Sequence, residues 1–331
     1  MSIADIGPSI IDSFFASTIK KYKTDQAKNF VQYRPAIQHL MENAAERDEG
    51  SYLIQFPVAF GFNNTTTFFD GMDRIETMPQ ETNLAALYYW KNIYSAVAIA
   101  ETDLLANSGK AAIFELFKAR ITQAEKSIRD VVNQEIYGDG TNYAGKSFVG
   151  FAAGISGTPT SDPASGAVGG IPASNVWWQN ASVTLGSWAA NGVNGTATDS
   201  VFAMYNTLTD GNEVHPTAIF SDQATYQYYN QSLVKNERIV MNSTAQTLNM
   251  PTLIYGPSGI PWYWDRQCPT GTMYLINNTD AKFVVDPRWY LTWGPPKSWP
   301  DQEAMVRILK LRLMLTYTRR MFLGVINGIT A

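Results

Sequence analysis

The chain has 331 residues, a formal net charge of −4 at neutral pH, 16% charged and 13% aromatic residues, and one cysteine. A mild negative balance excludes a general nucleic-acid binder, and a lone Cys268 excludes an intrachain disulfide and a cysteine metal cluster. Nine Trp and seventeen Tyr, on a chain well below the ~25% charge of ordinary domains, point to a surface that neighbouring subunits cover. Length gives about two domains as a prior. The opening MSIADIGPSI has neither a basic n-region nor an apolar h-region, so no secretory signal is expected. Apolar runs such as Ala96–Ala100 are too short to span a bilayer, so a cytosolic, membrane-free setting is expected.

Residues 1–50 read as an arm, with short helices at Ile10–Lys20 and Ala36–Arg47. Its Lys20, Lys21, Lys23 and Lys28, and its Glu42, Glu46, Asp48 and Glu49, read as two solvated faces, the other reading being an arm that lies across a neighbour. Residues 51–99 are strand-like. Tyr52–Phe62 and Leu84–Ile99 are rich in aromatic and β-branched residues. Between them Asp70-Gly71 is a hairpin turn signal. As one hairpin, each arm has about 20 residues and spans roughly 65 Å. A two-stranded ribbon of that length has no core of its own, and its bare edges invite pairing. It must lie on something else, so the protein is expected to assemble.

A rod follows at residues 110–137. Ile113, Phe117, Ile121, Ala124, Ile128 and Val131 recur three or four apart and share a helical face. Asn107 and Ser108 are candidate N-caps, and Gly138 is a stop signal. Glu125–Arg129 and Lys126–Asp130 pair one turn apart and read as surface support. The rod is roughly 40 Å long. Gly138–Ala173 reads as loops, with a short strand at Phe148–Ala152. Residues 199–283 read as a compact α/β unit. Asp199 caps a helix through Leu208, Thr217–Phe220 is a buried strand, and Ser221 or Asp222 caps a helix through Leu233. Pro251–Tyr255 and Met273–Ile276 add strands. Met305–Ile329 holds two strands around Arg319-Arg320. Leu309, Leu311, Leu313 and Leu315 alternate with Lys310, Arg312 and Met314, the pattern of a half-buried strand.

No constellation for chemistry stands out. His215, Ser221 and Asp222 crowd one short stretch that reads as a strand running into a helix cap, which does not make a triad. There is no Gly-x-Ser-x-Gly elbow, Walker loop or Gly-x-Gly-x-x-Gly after a strand. The carboxylates lack HExxH or EF-hand spacing. Cys268 reads as a packed or surface thiol. Trp177, Trp178, Trp262 and Trp264 offer a sugar platform or, as the better reading, core. The expectation is a non-enzyme without cofactor or metal.

The order of parts resembles the major capsid proteins of tailed bacteriophages, the Hong Kong 97-type shell fold. The resemblance rests on five blocks. They are MPQETNLAALYYWKN, NSGKAAIFELFKARITQAEKSIRDVVNQEIYGDGTN, GGIPASNVWWQN, HPTAIFSDQATYQYYNQSL and LRLMLTYTRRMFLGVINGI. It implies an α+β fold with an N-terminal arm (1–50) and an extended loop (51–99). A peripheral domain (100–198 and 284–331) would carry the spine helix 110–137, and residues 199–283 would form the axial domain. Copies would build hexamers and pentamers of an icosahedral head. That head would hold double-stranded DNA through non-specific contacts, beside a portal protein. The location implied is the virion, with assembly in the host bacterial cytoplasm. Two departures qualify the family pattern. The arm starts almost at Met1, so a scaffold is expected to be separate or absent. Ser51–Trp90 contains no lysine, so no isopeptide weld is expected in this loop. The shell would then depend on non-covalent contacts or a decoration protein. Phe68, Phe69 and Arg74 at the hairpin tip are the candidate subunit-interface residues, the other reading of the two Phe being packing within the chain. An encapsulin-like nanocompartment shares the fold and stands as the alternative.

Overall fold

In the computed structural model the described residues are 34–43, 45–48, 52–74, 78, 80–100, 110–192, 200–211, 214–232, 253–255, 259–295, 297–299 and 302–331. The expected helix Ile10–Lys20, the caps Asn107, Ser108 and Asp199, and Leu233 lie outside them. The chain begins with helix α1 (Pro35–Asn43) and strand β1 (Ala45–Arg47). The expected single helix Ala36–Arg47 therefore ends early. Asn43 donates its side-chain amide to the His39 carbonyl, 3.0 Å away, and the chain leaves to pair with a sheet.

A short two-stranded sheet follows, β2 (Leu53–Ala59) against β3 (Asn83–Tyr89). Strand β4 (Lys91–Ala100) comes straight after it. This corrects the expected hairpin. Its arms are seven residues, not about 20, and the run Leu84–Ile99 breaks at Trp90. Beyond the break the chain joins a different sheet, where Lys91–Ala100 pairs antiparallel with Leu313–Ala304 of strand β13 (Gln302–Tyr317). Helix α2 (Lys110–Ile136) confirms the rod. Ile121, Ala124, Ile128, Val132 and Ile136 are buried on one stripe. Glu125, Arg129 and Asn133 are buried on an adjacent stripe, so Glu125 and Arg129 are interior rather than surface support. Asn133 shows what that second stripe faces, donating to both oxygens of buried Asp265 at 3.1 Å and to the Gln267 side chain. Lys126 and Asp130 stay outside, and Asp130 pairs with Arg34 at 2.7 Å. The expected strand Phe148–Ala152 is instead a loop running into a helical turn at Phe151–Gly154.

The rest builds two six-stranded sheets. Strand β5 (Ala181–Thr184), helix α3 (Val201–Thr207), strand β6 (Ala218–Ser221) and helix α4 (Gln223–Ser232) come next. Ser200 accepts from the Ala203 N–H and caps α3, while Asp222 accepts from the Thr225 N–H at the start of α4. Strands β7 (Leu253–Tyr255), β8 (Ile260–Trp264), β9 (Met273–Ile276) and β10 (Ala281–Val285) follow. Then come β11 (Thr292–Trp293), β12 (Lys297–Trp299), β13 and β14 (Gly324–Asn327). One sheet runs β1-β10-β13-β11, with β4 and β12 also on β13; the other runs β5-β14-β9-β6-β8-β7. Strands β1, β5, β8, β10, β11 and β12 are additions to the sequence reading. Residue 283, the expected edge of the α/β unit, lies inside β10, which pairs with β1 and β13.

Strands β6 and β9 are buried on both faces, which is why they read as continuous apolar runs. Phe220, Tyr274 and Ile276 face the main core, whereas Ile219, Trp262, Met273 and Leu275 face a second core that also takes in Met204 of α3 and Tyr229 of α4. On β13 the leucines 309, 311, 313 and 315 enter the main core, as their alternation requires. The last two strands separate. β13 stays in the first sheet and β14 crosses to the second, pairing with β5 and β9.

Candidate assembly interface

The hairpin has an anchored root and a bare tip. Ile54, Phe56 and Val58 of β2 lie opposite Tyr88, Ala86 and Leu84 of β3 on one face. Ile54, Val58, Ala86 and Tyr88 join the main core. The Tyr88 hydroxyl donates to the Tyr317 carbonyl at 2.6 Å and accepts from the Tyr317 N–H at 3.2 Å. Burial pushes the Tyr88 phenol well above its ordinary pKa, so it stays a protonated donor. Gly169 approaches the same ring with φ +64°, and a Cβ there would sit 3.0 Å from the Tyr88 hydroxyl. Only glycine combines that backbone with that approach. Buried Arg320 completes the root, donating to the Gly154 carbonyl at 2.8 Å and to Asn180 Oδ1 at 3.2 Å. Its charge is thus met by fixed carbonyl dipoles rather than left bare.

Beyond Phe60, which stacks on Trp177 at 5.0 Å, the chain holds its shape through its own polar groups. Phe60 N–H donates to the Thr82 carbonyl, and Asn64 N–H donates to Gln80 Oε1, both at 2.9 Å. Asn63 Oδ1 accepts from the Thr65 N–H and hydroxyl, an Asx turn. At the far end the Asp73 N–H donates to the Asp70 carbonyl at 2.8 Å. Asp70-Gly71 therefore turns the chain, though within a loop rather than between paired strands.

Phe62, Phe68, Phe69, Met72 and Met78 project from this loop, with Phe68 at 103% and Phe69 at 66% of full exposure. Packing within the chain is thereby excluded for Phe68. Arg74 is exposed beside them. The structure thus brings the three sequence-derived residues Phe68, Phe69 and Arg74 to one tip. It adds Phe62, Met72 and Met78, which composition alone could have flagged as apolar residues inside an Asn/Thr/Asp-rich run. Several large apolar side chains exposed along one loop are the kind of surface that contacts use.

The candidate chemical groups are occupied elsewhere. Ser221 is fully buried, its Oγ donating to the Asp222 carbonyl and accepting from Trp262 Nε1 at 2.8 Å. Trp178 and Trp262 lie in the interior, and Trp262 stacks on Tyr229 at 4.3 Å, so neither belongs to an exposed platform. Cys268 is buried, donates to the Thr272 carbonyl, and burial pushes its thiol up. Among the described residues no group of three or more His, Cys, Asp or Glu is placed to hold a metal, and no helix is long and apolar enough to cross a membrane.

A projecting hairpin, a long helix and two six-stranded sheets, met in that order along the chain, make up the Hong Kong 97-type shell fold. No family model and no curated protein matches the chain. Solved structures do. The capsid asymmetric unit of cyanophage A-1(L) matches over 89% of this chain and 92% of its own, with a TM-score of 0.62 at 15% identity. The capsid of a native GTA particle matches over 88% and 90%, with a TM-score of 0.56 at 10% identity. The holo-SrpI encapsulin complex from Synechococcus elongatus PCC 7942 matches over 90% and 88%, with a TM-score of 0.50 at 9% identity.

Proposed function

We propose that this chain is a shell subunit, the major capsid protein of a tailed bacteriophage. Copies assemble into hexamers and pentamers of an icosahedral head around double-stranded DNA. The observation that carries this reading is the bare apolar tip of a well-anchored hairpin, on a chain with a capsid fold. The tip lies over an adjacent subunit, where Phe68 and Phe69 each contribute about 1.5–3 kcal/mol when buried. Its role is mechanical, not catalytic. Residues 1–50 act as the arm, 51–99 as the extended loop, 100–198 and 284–331 as the peripheral domain, and 199–283 as the axial domain. Partners are other copies, a portal protein, a separate scaffold or decoration protein, and packaged DNA through non-specific contacts. The working place is the virion head, after assembly in the host cytoplasm.

Negative-stain microscopy of purified protein tests this. Shells of uniform size are expected, and a monodisperse monomer under all conditions would overturn it. Deleting Asn63–Met78 should leave a folded subunit that no longer closes shells. The likeness to an encapsulin supports a second reading, a nanocompartment loaded with protein. Nuclease-protected DNA inside particles separates the two, as do neighbouring genes, terminase and portal against a peroxidase or ferritin-like cargo.

A further inference from the structure

The turn at the hairpin tip holds a reactive pair. Asp70 and Gly71 are both exposed. The Gly71 N–H donates to Asp70 Oδ1 at 2.8 Å, so the amide nitrogen stands close to Cγ, one bond from that oxygen. This is near the geometry from which the nitrogen attacks the carboxyl carbon. Nothing crowds the pair, since a Cβ on Gly71 would meet no atom within 4 Å. The turn is fixed from both sides. Asp70 N–H donates to Asp73 Oδ2 at 2.9 Å, and Asp73 N–H donates to the Asp70 carbonyl at 2.8 Å.

The other Asp-Gly and Asn-Gly steps among the described residues are engaged differently. Asp139 Oδ1 accepts from the N–H and hydroxyl of Thr141 at 3.0 and 2.7 Å. Those bonds hold its carboxyl below the ordinary pKa and keep it ionised. Gly140 beside it has φ +84°, with Val149 and Ser165 3.3 Å from where a Cβ would stand. Gly192 gives its N–H to the Trp188 carbonyl, and the Asn191 amide goes to the Leu185 carbonyl. Asp210 is tied to Val214 by backbone hydrogen bonds, and Asn327 pairs with Thr184 in β14.

We propose that Asp70-Gly71 is a modification site, at which the unassembled subunit spontaneously converts Asp70 to isoaspartate. The Gly71 nitrogen bonds to Cγ of the neutral acid. The Cγ–OH bond breaks, and the hydroxyl leaves as water with the amide proton. Water then adds to the Asp70 main-chain carbonyl of the cyclic imide and breaks its bond to nitrogen, leaving Gly71 joined through Cγ. Water is lost and regained, so mass is unchanged and nothing is oxidised or reduced. The main chain is longer by one carbon, which the Asp70–Asp73 turn does not fit, and Phe68 and Phe69 move apart from Met72. On the shell-subunit reading above, an aged subunit then makes a poorer contact, so the site limits how long a free copy stays competent.

The test ages the free subunit below its assembly threshold at neutral pH. Conversion is read as a second peak of unchanged mass for tryptic peptide 48–74, placed at residue 70 by electron-transfer fragmentation. Methyl transfer by a protein isoaspartyl methyltransferase confirms it. Asp70 should convert at least about tenfold faster than Asp139 in peptide 130–146, and the two should converge in urea, where the folded geometry is gone. Gly71→Ala should slow conversion roughly tenfold by crowding the nitrogen. Asp70→Glu, which would need a six-membered ring, should stop it. No conversion at Asp70, or equal conversion at Asp70 and Asp139 in the folded subunit, would overturn the site. Raising the concentration of an aged sample should leave isoaspartate enriched in the unassembled fraction. Equal content in shells and free subunit would overturn the link to competence. A chain that never forms particles would overturn the shell reading, with the free-subunit measurement still deciding the site.

Discussion

The root and the tip of the hairpin use similar residues to opposite ends. Both are rich in aromatic and apolar groups in a short stretch of chain. At the root Ile54, Val58, Ala86 and Tyr88 are buried by the same chain, and Tyr88 is held by two backbone hydrogen bonds. At the tip Phe62, Phe68 and Met72 touch almost nothing of their own chain. Burial in the folded monomer stabilises the monomer, whereas burial deferred to assembly stabilises only the shell. Substitutions should therefore divide cleanly, root changes reading out in unfolding and tip changes in association.

The largest effect belongs to the root. Tyr88→Ala removes a buried ring and leaves the Tyr317 backbone without its partner, and should cost about 3–5 kcal/mol in urea unfolding. Tyr88→Phe keeps the ring and loses only the hydroxyl, for about 1–3 kcal/mol. If Tyr88→Ala left the monomer's unfolding midpoint unchanged, the root would not be anchored in the way described.

The next effect comes from the buried side and is a pH dependence. His39 in α1 is packed against Phe220 and Tyr263, at 5.7 and 5.6 Å between ring centroids. Its Nε2 is 3.0 Å from Asn278 Oδ1, and Nδ1 is 3.4 Å from the Asn43 amide. Nε2–H donating to Asn278 and Nδ1 accepting from Asn43 fit the neutral ring, with no acceptor left for a second proton. Burial lowers its pKa to about 4, opposed in part by the Asn278 bond. The unfolded chain takes up this proton near pH 6.5, the folded one only near 4. Stability is thus fully present above about pH 6.5 and falls as the pH drops toward 4, by about 3 kcal/mol in total. A His39→Leu variant should lack that part of the slope, and parallel pH profiles for the two proteins would disprove it. The tip should show no matching pH response, having no histidine.

What the sequence could and could not show follows the same division. The strict alternation on β13 and the long period of α2 were legible, because each is a repeat that one partner surface imposes. The break at Trp90 was not. Residues on its two sides have the same strand-like composition, and a change of pairing partner leaves no mark on composition. Glu125 and Arg129 are interior against expectation, because opposite charges four residues apart look the same in sequence on a wet face and on a second buried stripe. Phe148–Ala152 was too short for periodicity to separate strand from turn. At the tip Phe68, Phe69 and Arg74 were visible as residues, but not their exposure. The root lock was invisible, since Tyr88 and Tyr317 lie 229 residues apart in sequence.

The smallest effects lie at the tip, and they sharpen the comparison most. Phe68→Ala and Phe69→Ala should each change monomer unfolding by less than about 0.5 kcal/mol, as at any exposed site. In assembly each withdraws about 1.5–3 kcal/mol of burial per subunit contact, which raises the threshold concentration for shells roughly tenfold to a hundredfold. Light scattering across a concentration series measures this. Arg74→Ala should shift the same threshold by only about 0.2–1 kcal/mol if its partner site stays wet, with the difference fading at high salt. A larger loss that persists in salt would instead place its guanidinium against a desolvated carboxylate. That outcome separates a wet edge contact from a buried one. A tip whose apolar residues could be removed with no shift in threshold would be ornament, and the contrast between root and tip would lose its meaning.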